Sequence, residues 1–503
     1  MERDSTDQKE QRLRNMNPLK IHFHHQYSTL PSSFFQRVRP FPASKPGLRA
    51  WNADLADFLQ IQADADAHAQ ELSGIFSGTD IHPDSVPLAM AYSGHQFGHF
   101  NPDLGDGRAH LLGELEAKDG QLYEVALKGS GQTQFSRRGD GRAALGPVVR
   151  EYLVSEAMHA LGIPTTRSLA VVETGEPVFR ERAFPGAVLT RVALSHIRVG
   201  HFEHFASRNQ PDHVKTLLNF LIARAYPELN SSSDPALDFF RSLVQRQAKL
   251  VAQWMSVGFV HGVMNTDNTS ACGLTIDYGP CAFLDETDVN KVFSSIDRMG
   301  RYAYGKQPEI LQWNLSSLAH ALLVMDPEDH REARSKEYIQ ELESFFPLFE
   351  KAWKELHGKK IGLESVDSTS TLLDRWITYL HQEKLDFTLA FRNLPMLLNS
   401  EDLPNIYKDT PDFRAWVKDW KHVLGSQGGF DLAVAQMNAV NPCIIARNHI
   451  IEAIIQECMQ GNYKTFFALE KALANPYECS DQHAPFMKAP LEHEKVTQTF
   501  CGT

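Results

Sequence analysis

The segment 261–279 combines a histidine, an Asp-Asn pair and an Asp-Tyr-Gly turn at a spacing that constrains the fold. It reads HGVMNTDNTSACGLTIDYG. Asn268 offers a neutral carbonyl oxygen and Asp277 a carboxylate, and Mg²⁺ prefers such hard oxygen ligands together with water and phosphate oxygens. Their separation of nine residues suits a loop followed by a short hairpin, with GLTI as its strand, that returns to the same site. The segment therefore predicts a metal- and phosphate-binding loop.

The same spacing matches the catalytic-loop and D-F-G motifs of a protein kinase, except that the aspartate of the catalytic loop stands at a different position. Kinases carry H-R-D-x-x-x-x-N and then D-F-G. His261 and Asn268 keep the seven-residue step, and Asp277 begins the D-Y-G that stands in place of D-F-G. The position of the kinase base is Val263, which accepts no proton, whereas Asp267 directly precedes the Asn. The chain is therefore either a silent kinase relative or an enzyme with a different reaction.

Length and charge narrow the class of protein. The chain has 503 residues, and domains of ~100–200 residues predict roughly two to four of them. A hydrophobic content of 42% and a charged content of 22% are ordinary for a soluble globular protein. The formal net charge of −12 argues against general affinity for nucleic acid, which needs clustered Lys and Arg. We expect a globular protein of several domains without a nucleic-acid partner.

Cysteine spacing and apolar runs indicate the compartment. No C-x-x-C pair, zinc-type spacing or dense disulfide framework occurs, and this pattern fits a reducing environment. No apolar run approaches the ~18 residues of a membrane span. The N-terminus has no apolar core of a signal peptide. We therefore expect a cytoplasmic protein without membrane contact.

Residues 86–193 show short strands and glycine turns. Two strand-like runs, 109–116 and 122–128, are joined by a turn that contains the Asp-Gly hairpin signal. A helix is predicted from Pro147 until Gly162 and Pro164 stop it. The strings SLAVVETG, EPVFRER and AVLTRVA predict further strands. This order is the layout of a kinase small lobe.

Helical periodicity dominates from residue 213 onward. The predicted helices cover 237–258, 308–325, 336–357, 370–395 and 444–474, and a further helical run covers 50–75. The fold class is therefore α+β, a bilobal protein-kinase-like fold with a sheet-rich small lobe and a helical large lobe. The predicted units are an N-terminal extension (1–85), the small lobe (86–200), the large lobe (201–400) and a helical C-terminal region with a cysteine-bearing tail (401–503).

Lys128 ends the strand-like run YEVALK. In kinases a strand lysine neutralises nucleotide phosphates and is held by a glutamate on the next helix. Glu151 and Glu156 both lie on the helix predicted after Lys128, and the spacing alone does not choose between them. The alternative interpretation of Lys128 is a solvated strand end.

Two copies of Gly-Asp-Gly-Arg flank Lys128, at 105–108 and 139–142. Glycine allows backbone N–H groups to approach an anion closely, and a helix N-terminus is a ready anion site. Neither copy matches a Walker A loop, and each alone is more often a plain turn. Arg191 and Arg198 bracket the predicted hinge between the lobes, where two planar guanidinium groups suit phosphate oxygens. Surface salt bridging is the alternative for these arginines.

Several longer sequence motifs closely resemble those of the selenoprotein O (SelO) family of protein adenylyltransferases, which have a pseudokinase fold. They include YSGHQFG at 92–98, LKGSGQT at 127–133, SRRGDGRAALG at 136–146, RVALSHIRVGHFEHF at 191–205 and HGVMNTDN at 261–268. The resemblance implies transfer of AMP from ATP, bound in a flipped orientation, to hydroxyl side chains (Ser, Thr or Tyr) of other proteins. A kinase-like phosphotransferase and a non-catalytic ATP-binding scaffold are the alternative functions.

The resemblance also implies roles for individual residues. Asp267 would be the proton acceptor, and Asn268 and Asp277 would hold Mg²⁺ or Mn²⁺. Glu151 would be the partner of Lys128. The nucleotide contacts would be Gly105, Gly107, Arg108, Lys128, Asp140, Gly141, Arg191, Arg198 and Asp277.

The chain departs from the family pattern in its cysteines at one place. Relatives carry a redox-active selenocysteine or cysteine near the C-terminus, and Cys501 fits that place. Some bacterial relatives pair it with a cysteine of the activation loop, but the corresponding stretch 289–296 contains none. Cys281 is the nearest candidate, but it lies at a different position, so the sequence does not decide for or against redox gating through a disulfide.

Overall fold

A computed structural model describes residues 19–365, 370–399 and 403–499. Strands predominate as far as residue 193, and helices predominate from residue 199. The protein is thus a mixed α and β fold with a sheet-rich N-terminal part and a helical C-terminal part. The candidate site lies where the two parts meet.

A nine-stranded antiparallel sheet forms the N-terminal part. Its hairpin 109–128 turns at Gly120, whose φ of +76° favours glycine. The segment before residue 86 contributes strands to this same sheet. The strands along the main path run in the spatial order Phe35–Arg37, Leu88–Met90, Ala109–Glu116, Leu122–Lys128, Ala183–Ala193, Arg167–Phe179 and Gly47–Trp51, with Phe23–His24 and Ala143–Ala144 pairing at its sides.

The helix Leu145–Ala160 lies on one face of this sheet. It packs against the strands Arg167–Phe179 and Ala183–Ala193, and the helices Asn448–Met459 and Lys464–Leu473 cover it from the other side. Most of its residues are therefore buried, including Glu151. Burial on several sides fixes the position of the helix. It thereby fixes Glu151, whose side chain faces the strand end at Lys128.

The helical part surrounds the helix Pro235–Ser256, which leads directly to the loop 261–279. A second core around Trp376, Trp416 and Trp420 holds the helices between residues 370 and 440 together. The helices in chain order are Ala53–Phe58, Ala69–Ser77, Leu145–Ala160, Val199–Ala206, Pro211–Ala225, Pro235–Ser256, Gln307–Leu322, Arg331–Glu343, Phe345–Lys360, Ser370–Gln382, Phe387–Arg392, Met396–Asn399, Pro411–Ser426, Phe430–Val440, Asn448–Met459, Lys464–Leu473 and Ala484–Met487.

Several predicted elements are divided or shortened. The run 336–357 is two helices that meet at Ser344. The run 370–395 breaks before Asp386, whose side chain accepts from the backbone N–H of Leu389 and starts a new helix. Gly461, with a φ of +81°, ends one helix within 444–474. The stretch GLTI contributes an isolated bridge, between Thr165 and Thr275, instead of a hairpin strand.

The cysteines and the tail add two findings. Cys443 and Cys479 form a disulfide, with Cα atoms 5.8 Å apart, which the sequence did not predict because a separation of 36 residues carries no pairing signal. Cys501 lies outside the described residues. The described tail ends at Thr499, whose hydroxyl donates to the Pro280 carbonyl oxygen at 2.6 Å, directly before Cys281. Within the described ranges, no helix is long and apolar enough to cross a membrane.

Candidate active site

A cleft of about 760 Å³ lies between the sheet and the loop 261–279. Its walls come from the two Gly-Asp-Gly-Arg turns, the strand end at Lys128, the segment 191–198 and the loop itself. Every site residue predicted from the sequence lines this cleft except Glu151, which lies behind Lys128. The cleft is rich in guanidinium groups, so it is suited to a polyanionic ligand.

Lys128 and Arg191 share two carboxylates. The Lys128 amine donates to Glu151 at 2.5 Å and to Asp277 at 2.8 Å. Arg191 donates to the other oxygen of Glu151 and also to Asp277, each at 2.5 Å. Glu156, the alternative partner of Lys128, pairs instead with Arg167 at 2.6 Å. The strand lysine is therefore held by Glu151, and its charge is directed to the place where Asp277 enters the cleft.

Arg198 is the third cation at Asp277. Its Nη2 lies 3.5 Å from Asp277 Oδ2, and its Nη1 donates to the Tyr92 hydroxyl and to the backbone oxygen of Asp267. Burial alone would raise the pKa of Asp277, but the charges of Arg191, Lys128 and Arg198 outweigh it and hold that pKa well below its ordinary value. Asp277 is therefore ionised at any physiological pH.

Asp267 has a different environment in the same cleft. It is 8% exposed, and burial raises the pKa of its carboxyl group to about 6, although Arg198 and the Gln96 amide oppose the shift. Its Oδ2 accepts from Gln96 Nε2 at 3.2 Å. Its Oδ1 is buried without a hydrogen-bond partner among the described residues. A carboxylate with a raised pKa and an unoccupied oxygen has the properties of a general base.

The rest of the loop is held rigidly around these two carboxylates. His261 is buried, and its Nε2 lies 2.9 Å from the Ile276 carbonyl oxygen, so it ties the start of the loop to its end. Val263 lines the cleft with an apolar side chain. The Asn268 amide donates to the Val263 carbonyl oxygen at 3.1 Å, which leaves its own carbonyl oxygen as an acceptor. Asp277 itself has a φ of +65°, an unusual backbone conformation for a non-glycine residue.

The comparisons with known proteins agree over most of the chain. A family model described as protein adenylyltransferase SelO matches residues 17–474. The protein nucleotidyltransferase YdiU of Bradyrhizobium diazoefficiens is 49% identical over 496 residues, covering 96% of this chain and 100% of the relative. The protein of the same name from Maridesulfovibrio salexigens is 46% identical over 488 residues, covering 96% and 98%.

This chain belongs to the SelO family. Membership makes it an enzyme of the nucleotidyltransferase class, and the silent scaffold considered from the sequence is thereby set aside. Two features of the cleft were not anticipated from the SelO-like words.

The first feature is the close packing that requires glycine at positions 105, 107 and 141. A Cβ on Gly105 would lie 2.3 Å from the Phe135 ring, and one on Gly107 would lie 2.7 Å from the Phe135 carbonyl oxygen. A Cβ on Gly141 would lie 2.2 Å from Gly131. The two glycine turns of this SelO-family chain therefore pack against the segment 131–136, and packing as well as ligand approach requires glycine. Asp140 is exposed and pairs with Arg180 at 2.7 Å.

The second feature is a set of cleft residues that sequence reasoning missed. Tyr92 and Gln96 lie in the SelO-like word YSGHQFG, and both reach the cleft. Arg137 and Arg138 also line it, with φ values of +46° and +72°. For Tyr92 and Gln96, the available signal was their position within a motif shared with the family. Arg137 and Arg138 stand in SRRGDGR, directly before the second glycine turn.

Proposed function

We propose that the chain transfers AMP from ATP to hydroxyl groups of Ser, Thr or Tyr side chains in other proteins and releases pyrophosphate. The observation that carries this proposal is the arrangement of one cleft. Three cations surround Asp277. Val263, at the kinase base position, is apolar, whereas Asp267 lines the same cleft and has an oxygen without a partner among the described residues. Kinase chemistry needs a base at that position, so a different transfer is supported.

We infer a kinase-like bilobal arrangement for the same reason. The sheet with Lys128 and its partner Glu151 corresponds to a small lobe over 86–200, and the helices with the loop 261–279 correspond to a large lobe over 201–400. Residues 1–85 are then an N-terminal extension and 401–503 a C-terminal region. The contact between strand lysine and helix glutamate supports this assignment.

ATP is the proposed nucleotide. Lys128, Arg191 and Arg198 supply the positive charge that faces its phosphates, and Glu151 orients Lys128. The glycine turns, through Gly105, Gly107, Arg108, Asp140 and Gly141, form the opposite wall, and a flipped nucleotide follows from the family resemblance. Arginine forks bind phosphate oxygens in bidentate fashion, so the cleft can hold three phosphates without a Walker A loop.

Asn268 and Asp277 would hold a divalent cation, Mg²⁺ or Mn²⁺. The donor set fits, since the Asn268 carbonyl oxygen is an available acceptor and, among the described residues, Asp277 Oδ2 has only the 3.5 Å contact with Arg198. Two protein oxygens suffice when phosphate oxygens and water complete the shell. Across the described ranges, no group of three or more His, Cys, Asp or Glu could hold a metal instead. Such an ion would neutralise phosphate charge as pyrophosphate develops.

The protein's own part in the reaction follows from these positions. The acceptor hydroxyl approaches Asp267, whose carboxylate takes its proton. The hydroxyl oxygen forms a bond to the α-phosphorus, and the bond from that phosphorus to the bridging oxygen breaks. Pyrophosphate leaves with those electrons, and Lys128, Arg191 and Arg198 stabilise its charge. Catalysis is mainly positioning and charge stabilisation.

Transfer of label from ATP to protein tests this proposal. The enzyme is incubated with a mixture of candidate protein substrates and ATP that carries radiolabel at the α- or the γ-phosphate, with Asp267→Ala as the control. We expect label on protein from the α position alone, and none with Asp267→Ala. Label from the γ position alone would identify a phosphotransferase and overturn the proposal.

A further inference from the structure

A short hairpin presses on the loop that carries Asp267. Its strands are Gly94–Gln96 and His99–Asn101. Three consecutive hairpin residues contact three consecutive loop residues, through His95 N–H to Thr266 Oγ1 at 2.6 Å, Gln96 Nε2 to Asp267 Oδ2 at 3.2 Å, and Phe97 N–H to Asn265 Oδ1 at 3.3 Å. A contact at every residue fixes the register of the hairpin on the loop.

The approach is as close as the backbone allows. A Cβ on Gly94 would lie 2.9 Å from Thr266 Oγ1 and 3.2 Å from Asp267 Cβ, so only glycine permits this distance. Thr266 is held in turn by Glu203, whose carboxylate accepts its hydroxyl at 2.5 Å and also contacts His95. The hairpin and the loop therefore form one rigid unit around Asp267.

The turn of the hairpin is strained. Phe97 has a φ of +52°, a conformation that a bulky residue rarely adopts. Its N–H donates to the Tyr302 hydroxyl at 3.0 Å, and the two rings are 5.0 Å apart. Backbone strain that the surroundings maintain is concentrated at functional sites. The strained turn keeps Gln96, the preceding residue, directed into the cleft.

Gln96 occupies one oxygen of Asp267 and leaves the other without a partner. Its amide donates to Oδ2, whereas Oδ1 is buried and has no hydrogen-bond partner among the described residues. A carboxylate held by one oxygen cannot rotate freely about its χ2 angle. The free oxygen is therefore presented in a fixed direction.

We propose that Gln96 is a positioning residue for the transfer reaction. It fixes the orientation of the Asp267 carboxylate through its contact with Oδ2, so that the carboxylate is in place to take the proton of the substrate hydroxyl group. This inference rests on the proposed function, because it requires Asp267 to be the proton acceptor. Gln96 does not itself take a proton, since a carboxamide is not a base at physiological pH.

Gln96→Met tests the inference, because methionine keeps the length of the side chain and removes the donor. Misplacement of a catalytic group by about 1 Å can cost about a hundredfold in rate, so we expect kcat to fall about tenfold to a hundredfold. The Kd for ATP and the thermal unfolding midpoint should be unchanged. Gln96→Glu, which sets a second carboxylate against Asp267, should lower kcat at least as far and serves as the second variant. His99→Ala, an exposed residue of the same hairpin, is the matched control and should keep the wild-type kcat.

A double variant separates positioning from a general structural role. Gln96→Met should cause no further loss on an Asp267→Asn background, because effects that act through one group are not additive. An unchanged kcat in both Gln96 variants, or a full additional loss on that background, would overturn the role of Gln96 alone. Wild-type kcat in Asp267→Asn would instead overturn the proton acceptor, and the inference with it.

Discussion

Asp267 and Asp277 line one cleft, yet their surroundings move their pKa values in opposite directions. The pKa of Asp277 is held well below its ordinary value by three cations that outweigh burial. The pKa of Asp267 is raised to about 6 by burial. A pair of carboxylates whose environments separate their pKa values divides into an acid–base group and a permanently ionised one. The difference supports Asp267 as the proton acceptor and Asp277 as the charged ligand.

The contacts of Arg198 show how one arginine can serve both residues differently. It reaches the carboxylate of Asp277 at 3.5 Å, but its bond to Asp267 goes to the backbone oxygen. The Asp267 side chain receives a neutral amide from Gln96 instead. The atoms that face the cations, rather than burial itself, therefore decide which carboxylate has the lower pKa.

The largest expected effect is on the chemical step. Asp267→Asn keeps the shape of the side chain and removes its basicity, so we expect kcat for AMP transfer to fall about 10²- to 10⁴-fold. The Kd for ATP should change little, because the Asp267 side chain makes no hydrogen bond with the phosphate-binding cations among the described residues. Single-turnover transfer and ATP titration measure the two quantities. Asp103→Asn, an exposed carboxylate outside the cleft, is the control, and an Asp267→Asn rate within a few-fold of this control would break the comparison.

Asp277→Asn should destabilise the fold. It leaves Lys128 and Arg191 with Glu151 as their remaining contact carboxylate and leaves Arg198 without an ion-pair partner among the described residues. Removal of one partner from a buried ion-pair network costs about 3–5 kcal/mol in unfolding free energy. Because the folded-state pKa of Asp277 is depressed, this stability is present above its unfolded pKa of about 3.9 and is lost as the pH falls below it. Denaturant unfolding at neutral and acid pH measures the difference. Equal stability of variant and wild type at neutral pH would contradict the ion-pair cluster.

Asp267→Asn should change the free energy of unfolding in the opposite direction. The folded-state pKa of Asp267 lies about two units above its ordinary value, so its charge costs up to about 3 kcal/mol at neutral pH. This cost is absent below the unfolded pKa, grows as the pH rises towards about 6, and is then constant. The variant should therefore be more stable than wild type at neutral pH and equal to it in acid. A less stable variant at neutral pH would show that the carboxylate is not buried without compensation.

The sequence predicts the local parts of the site well. The strand end at Lys128 and the helix from Pro147 follow from turn signals and periodicity. Their spacing placed both Glu151 and Glu156 within reach of the lysine, and the family resemblance chose Glu151. The seven-residue step from His261 to Asn268 likewise located the loop. These features depend on contacts within one element or between neighbouring elements, which leave a periodic signal in the sequence.

The remaining parts depend on contacts between distant segments. Gln96 and Asp267 are 171 residues apart, and Arg191 and Asp277 are 86 apart, so no local pattern connects them. The break at Ser344 was missed because the helical pattern continues through it. The sequence likewise does not reveal that Gly105 packs against Phe135. The two residues lie on different segments, and Phe135 leaves no space for a Cβ at position 105.

The pH dependence of kcat/KM for AMP transfer tests the role of Asp267 most directly, because kcat/KM reports the ionisations of the free enzyme. We expect the wild-type value to be level above a pH of about 6 and to fall about tenfold per pH unit below it, as the Asp267 carboxylate is protonated. The residual activity of Asp267→Asn should lack this acid limb. An acid limb of the same midpoint in Asp267→Asn, or a wild-type profile that stays level well below that pH, would contradict Asp267 as the proton acceptor.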